Sequence, residues 1–307
     1  MGVRIRGHKK KNGWRGLPSL RGSEGKPFRI ALYCAAALLF IVIIAVVNRP
    51  KNQLMNTAEM KRIGDRGVLV VGVRSDVPGF AFDGEGLEIE LAQLFAEYLL
   101  PDTEADAAVK FVVVSGQTAA TKLSDGSIDV AIALMQKGAS SKYAYSYAYY
   151  TDTCVVAVAP GDEQRPLNEM VLGYVQNTAG SNVLTNYISE HETKVERTLL
   201  QRLRGITPEL PEGAITFEKK AFASYPDMLI ALENGRIDGA VLTGIYAERY
   251  SQSYDFSIHS TRLGTVEYAI AASADEPAIA QLADVFIYEL RRSGRLDALL
   301  EKYGLNG

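Results

Sequence analysis

The chain has 307 residues, 47% of them hydrophobic, enough for about two domains and a substantial core. Its net charge of −3 hides a polarity: residues 1–29 carry nine Lys/Arg against Glu24 alone, a local +8, which leaves −11 for the remainder. An acidic body of that size lacks the basic footprint that nucleic acid requires, so no nucleic-acid partner is expected.

Residues 30–47 are eighteen consecutive uncharged residues, which as a helix would span about 27 Å, close to the hydrocarbon thickness of a bilayer. A cleaved signal peptide is the rival reading, but it calls for a short basic head and small residues before the cut. Here the head is 29 residues long and Ala45-Val-Val-Asn-Arg-Pro50 is a poor cleavage site. Residues 1–29 are therefore expected as a cytoplasmic tail, 30–48 as a single uncleaved transmembrane anchor and 49–56 as a tether. The positive-inside rule then places everything beyond in the extracytoplasmic space.

Beyond the tether, 67–73 is an apolar run of strand length, and the apolar positions Leu87, Leu91, Leu94, Phe95 and Tyr98 lie on one helical face. A strand over 109–114 and a short helix over 118–123 follow. The sequence Leu-Ser-Asp-Gly-Ser-Ile-Asp-Val-Ala-Ile at 123–132 then returns 109 positions later as Leu-Glu-Asn-Gly-Arg-Ile-Asp-Gly-Ala-Val. Each copy ends a helix, turns on a glycine suited to the left-handed conformation and enters a buried parallel strand. Two copies predict two α/β lobes. Ligands collect outside the carboxyl ends of parallel strands, so residues 134–137 and 243–246 are expected beside a shared cleft.

Between the copies, 155–159 and 170–175 read as strands and 177–181 as the start of a helix. Residues 193–213, charged and Pro-bearing, carry no clear pattern. Ser224 reads as the N-cap of the helix entering the second copy. A late strand over 265–271, a helix from Pro277 to a stop at Gly294 and a short helix to Tyr303 complete the chain. Tyr143, Tyr145, Tyr147 and Tyr149 alternate, which places them on one side of an extended segment. Only Cys154 lies outside the tail and the apolar run, so no intrachain disulfide is expected there. The three histidines are far apart, and neither a metal site nor a cofactor-binding loop is recognisable.

Several segments carry a resemblance in order: Gly-Val-Leu-Val-Val-Gly-Val-Arg-Ser-Asp-Val-Pro-Gly-Phe-Ala-Phe at 67–82, Leu-Glu-Ile-Glu-Leu-Ala at 87–92, Tyr-Ser-Tyr-Ala-Tyr-Tyr at 145–150, Glu-Tyr-Ala-Ile-Ala at 267–271 and Ser-Gly-Arg-Leu-Asp-Ala-Leu-Leu-Glu-Lys-Tyr at 293–303. Over roughly 57–307 the chain resembles family 3 extracellular solute-binding proteins, the amino-acid-type receptors of ABC importers. The resemblance implies an α/β clamshell of the type II periplasmic-binding-protein kind. Lobe 1 would comprise 57–152 plus 266–307 and lobe 2 residues 153–265, with crossings near 149–153 and 263–268. It also implies a non-enzymatic protein that captures a small polar ligand and has an ABC permease as partner.

The ligand-binding residues implied by the resemblance and the loops it brings together are Asp76, Phe80, Gln117, Gln136, Lys142, Thr178, Ser181 and Thr243. Capping for Asp76, Thr178 and Ser181, and core packing for Phe80, are the competing readings. The chain departs from the family in both loops that usually hold an α-amino acid: 134–143 has no Thr-x-x-Arg segment, and 241–245 has no acid. Two alternatives stay open: a sensory or interaction domain with a lost or altered ligand, and an enzyme of the cyclic-acid dehydratase kind, for which Asp76 is the nearby acid or base.

One prediction concerns topology. Alkaline phosphatase fused to the C-terminus is expected to be active and the mature chain to retain its first 48 residues. Activity of a cytoplasm-only reporter, or an N-terminus near residue 48, would contradict the anchor.

Overall fold

The computed structural model describes residues 52–194 and 210–305, all within one compact unit, Lys51–Gly307. The basic tail and the apolar run lie outside the described residues. Among the described residues no helix is long and apolar enough to cross a membrane.

The first repeat belongs to a parallel group of strands. β1 (Leu69–Val73) pairs with β4 (Val109–Val113) on one side and β5 (Val130–Ile132) on the other. Helix α1 (Ala58–Arg66) precedes β1. The short β2 (Asp76–Val77) and β3 (Ala81–Phe82) form a hairpin before α2 (Leu87–Leu99). α2 buries Leu87, Leu91, Phe95 and Leu99. One turn, α3 (Ala105–Ala108), leads into β4, and α4 (Gly116–Ser124) leads to β5.

The second repeat builds a matching group. β7 (Val171–Val175) is parallel to β8 (Glu218–Phe222) and to β9 (Gly239–Thr243). α5 (Ala179–His191) follows β7, α6 (Tyr225–Glu233) precedes β9 and α7 (Gly244–Ser251) follows it. α6 is capped by Ser224, whose hydroxyl accepts from the Asp227 N–H at 3.2 Å.

The repeated residues do the same work in both groups. Gly126 and Gly235 turn the chain at φ of 71° and 62°, a region closed to most L side chains. Ile128 then lies over Gly72 of β1, its Cδ1 only 2.6 Å from where a Cβ would stand, and Ile237 lies over Gly173 of β7 at 2.5 Å. The next residue is a clamp. The Asp129 carboxylate accepts from the Val70 N–H at 2.7 Å while its own N–H donates to the Val70 carbonyl at 2.8 Å. Asp238 does this with Val171 at 2.8 and 3.0 Å. Arg66 neutralises the first clamp, and Arg165 the second at 2.9 Å.

Two long antiparallel strands join the groups. β6 (Tyr143–Val158) and β11 (Gly264–Ser273) pair along most of their length, from Gly264 opposite Cys154 to Ser273 opposite Tyr143. β11 also borders β5, with Ala271 opposite Ala131, and the far half of β6 borders β9, with Cys154 opposite Thr243. The order among the described residues is thus β4-β1-β5-β11-β6-β9-β7-β8, with β10 (Ser257–Ile258) on the end of β6. α8 (Pro277–Arg292) packs on β6, β11, α1 and α2, and α9 (Arg295–Lys302) on α8. The Glu59 carboxylate of α1 accepts from the Ile279 N–H at 2.6 Å in the first turn of α8.

Several expectations differ from the structure. Tyr143–Val158 is one strand of sixteen residues, where the sequence predicts a strand only over 155–159, with the tyrosines at 143–149 on an extended segment. The tyrosine alternation breaks because the pairing with β11 shifts register around Ala269. Ser146 sits in this irregularity, donating to the Tyr147 carbonyl at 2.7 Å and accepting from the Ile270 N–H at 3.0 Å. Tyr147 consequently stays 53% exposed while Tyr149 is 1% exposed. Part of the expected tether is helical, and Leu54 and Met55 pack on the core. β8 escaped notice because Glu-Lys-Lys gives it no apolar run, a composition suited to an exposed edge strand.

The Ile-over-glycine packing predicts coupling. Gly72→Ala is expected to cost about 1–3 kcal/mol by overpacking, and Ile128→Val, which removes the crowding Cδ1, to recover part of that loss in the double variant. Urea unfolding of the four proteins measures it; strictly additive effects would contradict the contact.

Candidate functional site

The carboxyl ends of the parallel strands from both groups face one cleft of about 570 Å³, within the usual range for small-molecule sites. Arg74 follows β1 directly, and Ala133 to Gln136 follow β5. Gln176 and Asn177 follow β7, and Thr243 ends β9. Helices begin here too: Ser115 caps α4 and Thr178 caps α5, each accepting from an N–H three residues on. Tyr225 and Tyr246 enter from the first turns of α6 and α7, stacked with centroids 4.5 Å apart. Tyr143 and Tyr145 of β6 meet edge to face at 5.9 Å, and Tyr268 of β11 stacks on Tyr150 at 6.4 Å. Burial pushes the phenols of Tyr225, Tyr246 and Tyr268 up, so they remain neutral hydroxyls.

Arg74 is the one charged side chain in this lining among the described residues. Its Nε and Nη2 donate to the two carboxylate oxygens of Asp76 at 2.9 and 2.8 Å, a bidentate fork. Burial opposes the guanidinium charge, but Asp76, together with the nearby Tyr246 and Glu88, outweighs it and raises the Arg74 pKa; Arg74 in turn holds the Asp76 carboxyl below its usual range. Two bonds cross between the strand groups at this level. Arg249 of α7 donates to the Asp76 carbonyl, and the Asn182 amide of α5 donates to Gln136 Oε1 at 2.8 Å.

Buried carboxyls set the backbone behind the cleft. Glu88, fully buried on α2, accepts from the Leu134 N–H at 2.7 Å and from the Tyr149 hydroxyl through the same oxygen. Leu134 adopts φ of 52°, uncommon for a non-glycine residue, and this carboxyl holds its amide there. Burial pushes Glu88 up to about 7 despite the two donors. Asp152, on the β6 segment that passes between the groups, accepts from the Thr153 N–H at 2.8 Å and the Ile245 N–H at 3.1 Å, capping α7. Burial raises its pKa as well, and it fills the space beside Gly244, where a Cβ would lie 2.5 Å from its oxygen.

Of the residues expected from sequence, Gln136, Thr178 and Thr243 line the cleft. Asp76 stands behind Arg74 with its side chain 53% exposed. Phe80 is buried, edge to face with Tyr150 at 5.1 Å, and borders a separate hollow with Tyr150 and Ile245. Lys142 is exposed and outside the lining. The Ser181 hydroxyl donates to the Thr178 carbonyl at 2.8 Å within the cap of α5. Gln117 falls in the first turn of α4, and its side chain lies outside the described residues. Tyr246 falls in the 243–246 stretch expected beside the cleft and does line it, whereas sequence reasoning missed Arg74, Asn182, Tyr225 and Tyr268. For Arg74 a signal existed, since it is the first residue beyond the carboxyl end of β1. Among the described residues no cluster of His, Cys, Asp or Glu could hold a metal ion.

Glu88 generates a pH prediction. Its folded pKa of about 7 exceeds the ordinary glutamate value of 4.5, so between these values the folded protein retains a proton that the unfolded chain has released. Its contribution to stability is present below about pH 4.5 and lost as pH rises through about 7, by an amount on the order of 3 kcal/mol. Glu88→Gln, which keeps the accepting oxygen, is expected to gain on wild type by about that much between pH 4.5 and 8 in urea unfolding. A pH-independent difference would contradict the buried-carboxyl account.

Residues 69–306 match the family described as bacterial extracellular solute-binding proteins, family 3. Solved structures share the fold. A mutant of ArgBP from T. maritima aligns at TM-score 0.58 and 22% identity, covering 81% of this chain and all of that one. The solute receptor for L-cysteine of Neisseria gonorrhoeae aligns at 0.58 and 18%, covering 79% and 92%. AbpA of Streptococcus pneumoniae, an amino acid ABC transporter substrate-binding protein solved with L-arginine, aligns at 0.57 and 20%, covering 79% and 97%. The family match spans most of the two-lobed α/β body that frames the cleft, and the chain belongs to the bacterial extracellular solute-binding proteins of family 3.

Proposed function

We propose that this protein captures a small polar solute in the cleft between its two repeats and delivers it to an ABC permease, held at the membrane by residues 30–48. The observation that carries this reading is the convergence of Arg74, Leu134 and Gln136 from one repeat with Asn177, Thr178, Asn182 and Thr243 from the other around a single cavity. Lobe 1 is 57–152 plus 266–307 and lobe 2 is 153–265, hinged where β6 and β11 run between them. The Asn182–Gln136 and Arg249–Asp76 bonds act as latches of the closed form. The proposed ligand contacts are Arg74, Gln136, Thr178, Thr243 and the tyrosines, with Asp76 as the partner of Arg74. Capture without chemistry is favoured because the described lining holds no carboxyl or imidazole to serve as general acid or base.

The proposal predicts that a pooled bacterial metabolite extract raises the melting temperature of the full chain. A ligand at 100 times its dissociation constant contributes about 2.7 kcal/mol. Tyr225→Ala and Thr243→Val are expected to abolish that rise. No rise with any extract, or an undiminished rise in both variants, would contradict solute capture in this cleft.

A further inference from the structure

Resting on the reading of this cleft as the solute site, we infer that the solute is a small organic monocarboxylate without a free ammonium group, and that Arg74 is the residue that selects it. Arginine has five N–H donors in a planar fork. Asp76 engages Nε and Nη2, which leaves the Nη1 edge of the guanidinium for a second carboxylate. The pair is also asymmetric in exposure: the Arg74 side chain is 21% exposed and lines the cleft, whereas Asp76 is 53% exposed and lies outside the lining. Solvent screens the acid while the cleft faces the cation.

The rest of the lining agrees in sign. α4 and α5, of nine and thirteen residues, point their amino ends at the cavity from opposite strand groups. Their partial positive charge adds to that of Arg74. An incoming ammonium finds no carboxylate in the described lining. The nearby acids are engaged elsewhere: Glu88 lies behind Leu134, accepting from its N–H, and Asp152 is turned to the backbone of Thr153 and Ile245. An unpaired buried ammonium is costly, so the parent α-amino acid is disfavoured where its deaminated or N-acylated acid is accepted. The amides of Gln136 and Asn182 and the neutral tyrosine hydroxyls suit an uncharged, hydrogen-bonding body on that acid.

Calorimetry on the full chain tests this with matched sets built on aliphatic and aromatic side chains: the α-amino acid, its N-acetyl form, its 2-oxo acid, its amine and its primary amide. In at least one set the N-acetyl or 2-oxo acid is expected to bind ten-fold or more tightly than the parent amino acid, with no binding of the amine. Arg74→Gln, with ligand-free melting as the folding control, is expected to weaken that acid ten-fold or more, Arg74→Lys less, and each to weaken the neutral amide by a smaller factor than the acid. Equal or tighter binding of an amino acid or amine, or undiminished acid binding by Arg74→Gln, overturns the inference. Binding of neutral members alone also overturns the charge assignment while leaving solute capture intact. A panel in which nothing binds overturns the class assignment, and the extract measurement decides solute capture separately.

Discussion

The body of this protein depends on one backbone clamp made twice. At Asp129 and again at Asp238, a single residue closes both the N–H and the carbonyl of the neighbouring strand, at Val70 and Val171. Its arginine partner pairs the carboxylate, which is buried at Asp129 and partly exposed at Asp238, and at Asp129 a lone charge would be left uncompensated. The isoleucine before each aspartate fills the space that a glycine leaves in that strand. Register is thereby fixed from both the polar and the apolar side, and with it the position of the loop at the carboxyl end of each strand.

From that constraint the cleft follows. Two parallel groups facing each other across β6 and β11 bring four strand ends and four helix starts to one cavity. The acids that support it are buried one layer back, where each holds a backbone amide: Glu88 that of Leu134, Asp152 that of Ile245. Arg74 alone carries a full charge into the described lining, with Asp76 fixing its orientation. Placement in advance by a bidentate partner is what lets a single guanidinium discriminate between ligands.

Much of the fold was legible in the sequence. The repeated Gly-x-Ile-Asp segments announced two α/β units, because a left-handed turn, a core isoleucine and a clamping aspartate leave few other uses for that pattern. The family resemblance added the long crossings. The site was less legible. Gln136, Thr178, Thr243 and Tyr246 stand at strand and helix ends that pattern alone can locate, whereas Tyr225 and Tyr268 reach the cleft through side-chain direction and packing. The register shift beside Ala269 separates Tyr147 from Tyr149, and no periodicity could reveal it. Asp76 was singled out as an acid, but its geometry makes it the support of an arginine two residues earlier.

The central claim is that one solute is held by both repeats at once. Hydrogen–deuterium exchange of the full chain, with and without a pooled metabolite extract, tests it at the level of backbone amides. The account predicts simultaneous protection of 133–139 in one repeat and 176–182 in the other, with no comparable change at the hollow bordered by Phe80 and Tyr150. Protection confined to one repeat, or centred on that hollow, would contradict it.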